Sequence, residues 1–348
     1  MKKWRAGALT LLAAVFLFAA ASAGEAETGA DEAPEAEEAA TAEAEAAENA
    51  EEDGGAQDFP ALNDEGFLDE GEFVYEDPEK GLWRYCSDTL WVEIRRISQE
   101  KPLRTWYEAE IRCAEGGEFP HMIPVDPEKW MRKQEYPYKL ARMKQTVIAV
   151  SSDYAWHRYV NKTRTGIVIR EGKIWSDKTW KKGAKKFPNL DTLAIFPDGD
   201  MQVFDSDEKT AEEYLEMGTR DVLAFGPWLI RDGELNTAAL EQYGKSSAER
   251  VAVGMAEKGH YWFMMLEGRS SWKKRSKGDG ISFLAEKLLE KGCRTAFNLD
   301  GGQTATIVFM GHQLCKMDEK PRNLSSRRTA EILGVGTSTL VAAPEDPW

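Results

Sequence analysis

The sequence predicts an α+β fold: a single large domain of mixed and antiparallel β-sheets, rich in hairpins, with a few helices packed against them. Three observations predict it. From about residue 70 the chain alternates short β-branched or aromatic runs with glycine turns. Two segments interrupt that rhythm with capped, 3.6-residue periodicity. Beyond that point there is neither an internal repeat nor a convincing domain boundary.

The elements follow in chain order. Leu90–Ile97 and Thr105–Ile111 read as strands that pair as a hairpin, and Cys86 and Cys113 flank them. In an exported chain that placement suggests a Cys86–Cys113 bridge, with Cys293 a buried thiol. Residues 127–144 are the least regular part and admit either a helix or a surface loop. Gly166–Arg170 turns through Glu171-Gly172 into Lys173–Trp175, and Leu193–Phe196 turns through Pro197-Asp198-Gly199-Asp200 into Met201–Phe204. Leu223–Ile230 reads as one extended run into Asp232-Gly233, and Arg250–Met255 returns through Lys258-Gly259 as Tyr261–Leu266. Xaa-Gly pairs between extended runs are the strongest short-range hairpin signal, because the turn needs positive φ. Thr210-Ala211-Glu212-Glu213 has the form of a capping box, and its helix should stop at Gly218. Ile281, Leu284, Ala285, Leu288 and Leu289 fall on one helical face that Gly292 terminates. A strand over Arg294–Leu299 then meets Asp300-Gly301-Gly302, and Thr304–Met310 is a second strand that turns at Gly311-His312.

Charge divides the 348 residues unevenly, with a formal net charge of −15. Residues 1–23 have a basic start, an apolar run from Ala6 to Ala20 and the small-residue pattern Ala21-Ser22-Ala23, the form of a cleaved export signal. Residues 24–58 carry fourteen acids and no Lys or Arg. With almost no large apolar side chain, that stretch cannot offset its ordering entropy and reads as a disordered acidic linker. The remainder is nearly neutral, so no dominant basic face serves a phosphate backbone and nucleic acid is not an expected partner. The expected location is secreted or extracytoplasmic, in the cell envelope, with no transmembrane segment after signal cleavage. The folded part is expected to comprise a strand-rich extension, 59–144, and a main domain, 145–342.

Asp300 at the C-terminal end of a strand, followed by two glycines, stands where a ligand can approach the backbone closely. Five ordered blocks give this position its setting: Phe225-Gly226-Pro227-Trp228-Leu229-Ile230, Arg250-Val251-Ala252-Val253-Gly254, Glu267-Gly268-Arg269, Phe297-Asn298-Leu299-Asp300-Gly301-Gly302, and Arg327-Arg328 with Glu331-Ile332-Leu333. Together they resemble the phosphodiester glycosidase family over roughly residues 145–340, and Ser151-Ser152-Asp153-Tyr154 stands where bacterial members commonly read NGDY or NGGF.

The resemblance implies hydrolysis of the bond between a sugar C1 and a phosphodiester, with a carbohydrate or glycosyl-phosphate polymer of a wall or exopolysaccharide as substrate. The leaving group is already a stabilised anion, so the site needs a carboxylate more than an acid, together with cations for the phosphate. Asp300 is the first catalytic carboxylate, with Glu267 and Asp153 as candidate partners. Arg250, Arg269 and Arg327 are the phosphate candidates, Asn298 a sugar-hydroxyl partner or a group that orients Asp300, and Gly301 and Gly302 the close-approach positions. No cofactor is expected; a divalent cation is open, without a specific ligand pattern. Ser151-Ser152, Gln303 and Glu267 depart from the family pattern. These departures keep a second reading open, a non-catalytic glycan- or cell-wall-binding domain on the same fold.

Overall fold

The computed structural model describes residues 59–154, 158, 166–178, 190–244, 246–268, 278–315 and 327–345. Residues 1–58, where an export signal and an acidic linker are expected, lie outside them. The chain separates into two units, Met1–Phe59 and Pro60–Trp348, and every element below belongs to the second.

The largest sheet has nine strands in the order β1 (Phe73–Asp77), β2 (Leu82–Cys86), β3 (Leu90–Glu100), β4 (Leu103–Cys113), β15 (His260–Leu266), β14 (Arg250–Glu257), β16 (Thr295–Leu299), β12 (Trp228–Arg231) and β13 (Glu234–Leu235). All its pairings are antiparallel. A second sheet runs β10 (Met201–Phe204), β9 (Asp191–Ile195), β11 (Asp221–Phe225), β7 (Gly166–Arg170) and β8 (Lys173–Lys178). The third runs β18 (His312–Gln313), β17 (Ile307–Phe309), β6 (Thr146–Val150), β19 (Glu331–Thr337) and β5 (His121–Pro124). The strand-rich extension is thus built into the domain, supplying β1 to β4 to the first sheet and β5 to the third.

Period-two alternation decides what each sheet buries. Val251, Val253, Phe263, Met265, Phe297 and Leu299 of the first sheet meet Leu193, Ile195, Val203 and Leu223 of the second and Ile148, Val150, Phe309 and Leu333 of the third in one shared core. The opposite face of each sheet is covered by its own helix. On the first sheet it is α4 (Ile281–Glu290), on the third α1 (Pro137–Lys144), and on the second α2 (Ala211–Glu216). A further helix, α3 (Thr237–Tyr243), is capped by the Asn236 side chain, which accepts from the Ala239 N–H. At Gly254 in mid β14 an added Cβ would sit 2.6 Å from Cys293 Sγ and 2.8 Å from a Leu288 methyl, so the absent side chain is what lets α4 lie so close.

The predicted hairpins and both helices are present, including the reciprocal capping box of Thr210 and Glu213. The undecided stretch 127–144 resolves into turns followed by α1. Four expectations are corrected. Leu223–Ile230 is two strands in different sheets, divided where Gly226 takes φ +82° ahead of Pro227. The strand expected over Thr304–Met310 shortens to β17, because Gly302–Thr304 closes a 3₁₀ turn in which Ala305 N–H donates to Gly302 O at 3.1 Å. On α4, Leu289 is 37% exposed at the margin of the apolar stripe, while Phe283 is buried edge-on against Trp106 at 5.2 Å between ring centroids. No Cys86–Cys113 bridge exists; all four cysteines are free and buried. β3 lies between β2 and β4, with Cys86 opposite Trp91 and Cys113 opposite Leu90. Two strand spacings put the thiols' backbones about 10 Å apart, beyond a disulfide's reach of about 7 Å.

Burial pushes the thiols up, to about 11 for Cys86 and about 12 for Cys113, Cys293 and Cys315, which suppresses the reactive thiolate. We expect dithionitrobenzoate to find four thiols per chain after denaturation without reductant and essentially none in the native protein. The melting temperature should not change with dithiothreitol; a reductant-sensitive transition would show a bridge.

Candidate active site

Antiparallel pairing brings three separate sequence blocks to one end of the first sheet. Val251 lies opposite Leu299 and Arg250 opposite Leu266, so Asp300, Arg250 and Glu267 emerge beside one another from β16, β14 and β15. Beyond β16 the chain is pinned from several sides. Asp300 N–H donates to Ser152 O at 3.0 Å, Ser151 Oγ donates to Asp300 O at 2.8 Å, and Gly302 N–H donates to Glu249 O at 3.0 Å. A Cβ on Gly301 would fall 2.5 Å from that Glu249 oxygen, so the close approach served by Gly301 is to its own sheet. Gly302 instead supplies φ +58° for the turn, with open space around it.

Next to this end lies a cleft of about 660 Å³, lined among others by Tyr154, Asp191, Asp205, Asn236, Arg250 and Asn298. Asn298 is 3% exposed; its Nδ2 donates to Gly226 O at 2.7 Å, and among the described residues its Oδ1 has no hydrogen-bond donor. A buried amide oxygen left unmatched costs about 1–3 kcal/mol, a cost that a ligand donor would remove. Arg250 is oriented by the Ser246 carbonyl at 2.5 Å and the Asp279 carbonyl at 3.4 Å. Burial and the charge of Asp300 push the Tyr154 hydroxyl up to about 12.

The other candidates are placed differently. Glu267 shares the side of its strand with Met265 and lies within the core, where Tyr107 Oη donates to it at 3.2 Å. It does not line the cleft. Asp153, 1% exposed, receives Arg158 Nη2 at 3.0 Å on Oδ1 and Arg170 Nη2 at 3.0 Å on Oδ2. Arg170 in turn forks onto Glu331, Nε to Oε2 at 2.8 Å and Nη2 to Oε1 at 2.6 Å, and Trp130 Nε1 donates to the same carboxylate at 2.7 Å. Burial works against the Arg170 charge, but Glu331 and Asp153 outweigh it and raise its pKa. Arg327, not Arg328, faces the Asp300 turn, with Nη1 3.2 Å from Thr304 Oγ1 and Nη2 3.2 Å from Gln303 Oε1. Arg328 stacks on Tyr136. Arg269 lies outside the described residues.

Sequence reasoning missed Arg158 and Arg170 as partners of Asp153, and it missed Asp191 altogether. Asp191 opens β9, accepts the Trp228 N–H at 3.2 Å, and is pushed up to about 6 by burial and by Asp205. No motif marks it; only the folding of Gly226-Pro227 against β9 brings it to the cleft. The departures at 151 and 152 also acquire a role, since Ser151 holds the Asp300 backbone and Ser152 Oγ donates to Glu331 O at 3.3 Å. Gln303 is exposed and turned to Arg327 rather than into the cleft. Among the described residues no group of three or more His, Cys, Asp or Glu side chains is placed to hold a metal.

This chain belongs to the phosphodiester glycosidase family, whose model matches residues 144–336, more than half of it. It is 27% identical over 180 residues to the SPbeta prophage-derived uncharacterized protein YomE of Bacillus subtilis (strain 168). That match takes in 51% of this chain and 26% of the relative, so the chain spans about a quarter of that longer protein. Among solved structures it is similar to the catalytic domain of zebrafish N-acetylglucosamine-1-phosphodiester alpha-N-acetylglucosaminidase, at 18% identity and TM-score 0.55 over 72% of this chain and 85% of that one. A hypothetical protein from Synechocystis aligns at 13% identity and TM-score 0.49, over 72% of this chain and 63% of that one.

The surroundings of Asp153 make it a structural carboxylate whose loss leaves two buried guanidinium groups short of charge. Asp153→Asn should cost about 3–5 kcal/mol, the range for breaking a buried ion pair by removing one partner. Urea denaturation measures it; a change under about 1 kcal/mol would free Asp153 for chemistry.

Proposed function

We propose that this protein is an exported hydrolase that cleaves the glycosidic bond of glycosyl phosphodiesters in a wall polymer or exopolysaccharide. The observation that carries the reading is the placement of Arg250 and Asn298, from β14 and β16, on one cleft, with the Asp300 turn at the same end of the sheet. The guanidinium of Arg250 suits a phosphate oxygen pair, with Arg327 as a second cation beside the Asp300 turn. The unmatched Asn298 oxygen suits a sugar hydroxyl donor. The Asp300 carboxylate stabilises positive charge at the anomeric carbon as the phosphate leaves with the bonding electrons. The zebrafish neighbour, an N-acetylglucosamine-1-phosphodiester alpha-N-acetylglucosaminidase, supports the same reaction class. The sequence of residues 1–23 supports export, and no described helix is long and apolar enough to cross a membrane.

Two measurements test this. Full-length protein should cleave at least one member of a panel of sugar 1-(4-nitrophenyl phosphate) diesters, with released nitrophenyl phosphate read through a phosphatase. Asp300→Asn should fold normally and lose at least about 100-fold in kcat/KM, the scale for removing one preorganised electrostatic group. Binding of wall polymer without any turnover would support the glycan-binding reading instead. Separately, N-terminal sequencing of the exported product should begin at Gly24, because Ala21 and Ala23 fit the small-residue positions of the cleavage site. A start at Met1 in the membrane fraction would make that segment an anchor.

A further inference from the structure

The hydrolase reading leaves one chemical requirement unmet. A phosphate leaving group needs no proton, but the attacking water must lose one, and Asp300 beside the departing group is assigned to charge stabilisation. The base has to be a carboxylate in the cleft, open to water, and not neutralised by a tight ion pair. Asp153 fails on the last count, since both its oxygens receive arginines. Glu267 fails on the first, since it lies on the core side of β15. Asp191 meets all three.

We propose that Asp191 is the general base of this cleft, an inference that rests on the hydrolase reading above. Asp191 and Asn298 sit on either side of one residue, Gly226. Asn298 Nδ2 donates to the Gly226 carbonyl at 2.7 Å, and a Cβ on Gly226 would come within 2.8 Å of Asp191 Cβ. Because Gly226 also holds φ +82°, no other residue fits there without displacing Asp191. The carboxylate thus lines the same cleft as the amide oxygen that awaits a sugar hydroxyl. Its Oδ2 is held by the Trp228 N–H at 3.2 Å, which fixes its direction.

The step balances as follows. Water oxygen bonds to the anomeric carbon, the C1–O bond breaks with its electron pair on the phosphate oxygen, and the water proton passes to Asp191. The products are the free sugar and a phosphate monoester dianion, and Asp191 then releases the proton to solvent.

The charges around Asp191 suit this task. Among the described residues, Asp205 beyond β10 raises its pKa, Arg231 of β12 lowers it, Tyr214 of α2 is a neutral phenol behind it, and Arg250, Tyr154 and Tyr243 line the rest of the cleft. With burial the largest effect, the carboxyl titrates at about 6. It is therefore ionised at neutral pH yet basic enough to accept a proton, the compromise a general base requires.

The experiment follows kcat/KM against pH for full-length protein on a cleaved sugar 1-(4-nitrophenyl phosphate). Wild type should lose activity below pH about 6, because protonation removes the base. Asp191→Asn, which can keep its oxygen on the Trp228 N–H, should fall about 10²- to 10⁴-fold and lose that acid limb, at an unchanged melting temperature. Asp205→Asn removes the neighbouring negative charge and should move the limb to lower pH, a shift that a purely structural Asp191 would not produce. If Asp191→Asn does not fold, the limb shift in Asp205→Asn decides alone. An Asp191→Asn protein with wild-type rate and limb, or an Asp205→Asn limb that does not move, overturns the proposal while leaving the hydrolase reading standing. Failure of wild type on every sugar phosphodiester overturns that reading first.

Discussion

Arg170 carries a full charge where water does not reach, and the arrangement of two sheets turns on how that charge is met. Its guanidinium starts on β7 of the second sheet and forks onto Glu331 at the first residue of β19 in the third. It also reaches Asp153, just past β6, and the Val222 carbonyl on β11 at 2.6 Å. A charge this deep costs several kcal/mol unless each donor finds an acceptor, so any slip between the sheets that broke one bond would expose the whole penalty. Apolar contacts in the shared core tolerate small sliding, whereas a bidentate fork does not. The network therefore fixes the alignment that the hydrophobic core leaves loose.

The site inherits that alignment through two serines. Ser151 and Ser152 leave β6 immediately before Asp153, and they hold the Asp300 backbone from below while Glu249 holds the next glycine turn from the side. Asp300 thus takes its position from the third sheet and its strand from the first. Asp191 takes its position from the second sheet, held to the first through the Trp228 N–H. The cleft walls come from separate sheets, and its geometry survives only while all three keep their relation. Glu331 and Trp130, which do not line the cleft, are tied to it only through this alignment.

How far the sequence could be read depended on range. Turns with glycine at positive φ, the Thr210 capping box and the apolar stripe of α4 are local, and the residues that make them are neighbours in the chain. The strand end at Asp300 was legible because the double glycine marks a special backbone. Pairings beyond the local range were not legible. Cys86 and Cys113 looked adjacent because the hairpin between them was visible while the position of β2 across it was not. Asp153 looked like a free carboxylate because Arg170 sits seventeen residues away and Glu331 far beyond, each in an ordinary strand sequence. Asp191 had no local mark at all, since its environment is made by Gly226-Pro227 folding over the start of β9.

The same comparison separates two kinds of acidic residue that sequence alone treats alike. Asp153 and Asp191 both begin from an ordinary carboxylic acid, and both are largely removed from water. What differs is the company each keeps. Two arginines bind the two oxygens of Asp153 and spend its charge inside the fold. Asp191 has only backbone donors close to it, a second acid in Asp205 nearby, and Arg231 as a weaker opposing influence, so burial prevails and its proton stays on to about pH 6. A carboxylate whose charge is already matched has nothing left to offer a substrate. One that is poised between forms, oriented by backbone N–H groups and facing a cleft, can still exchange a proton with whatever enters.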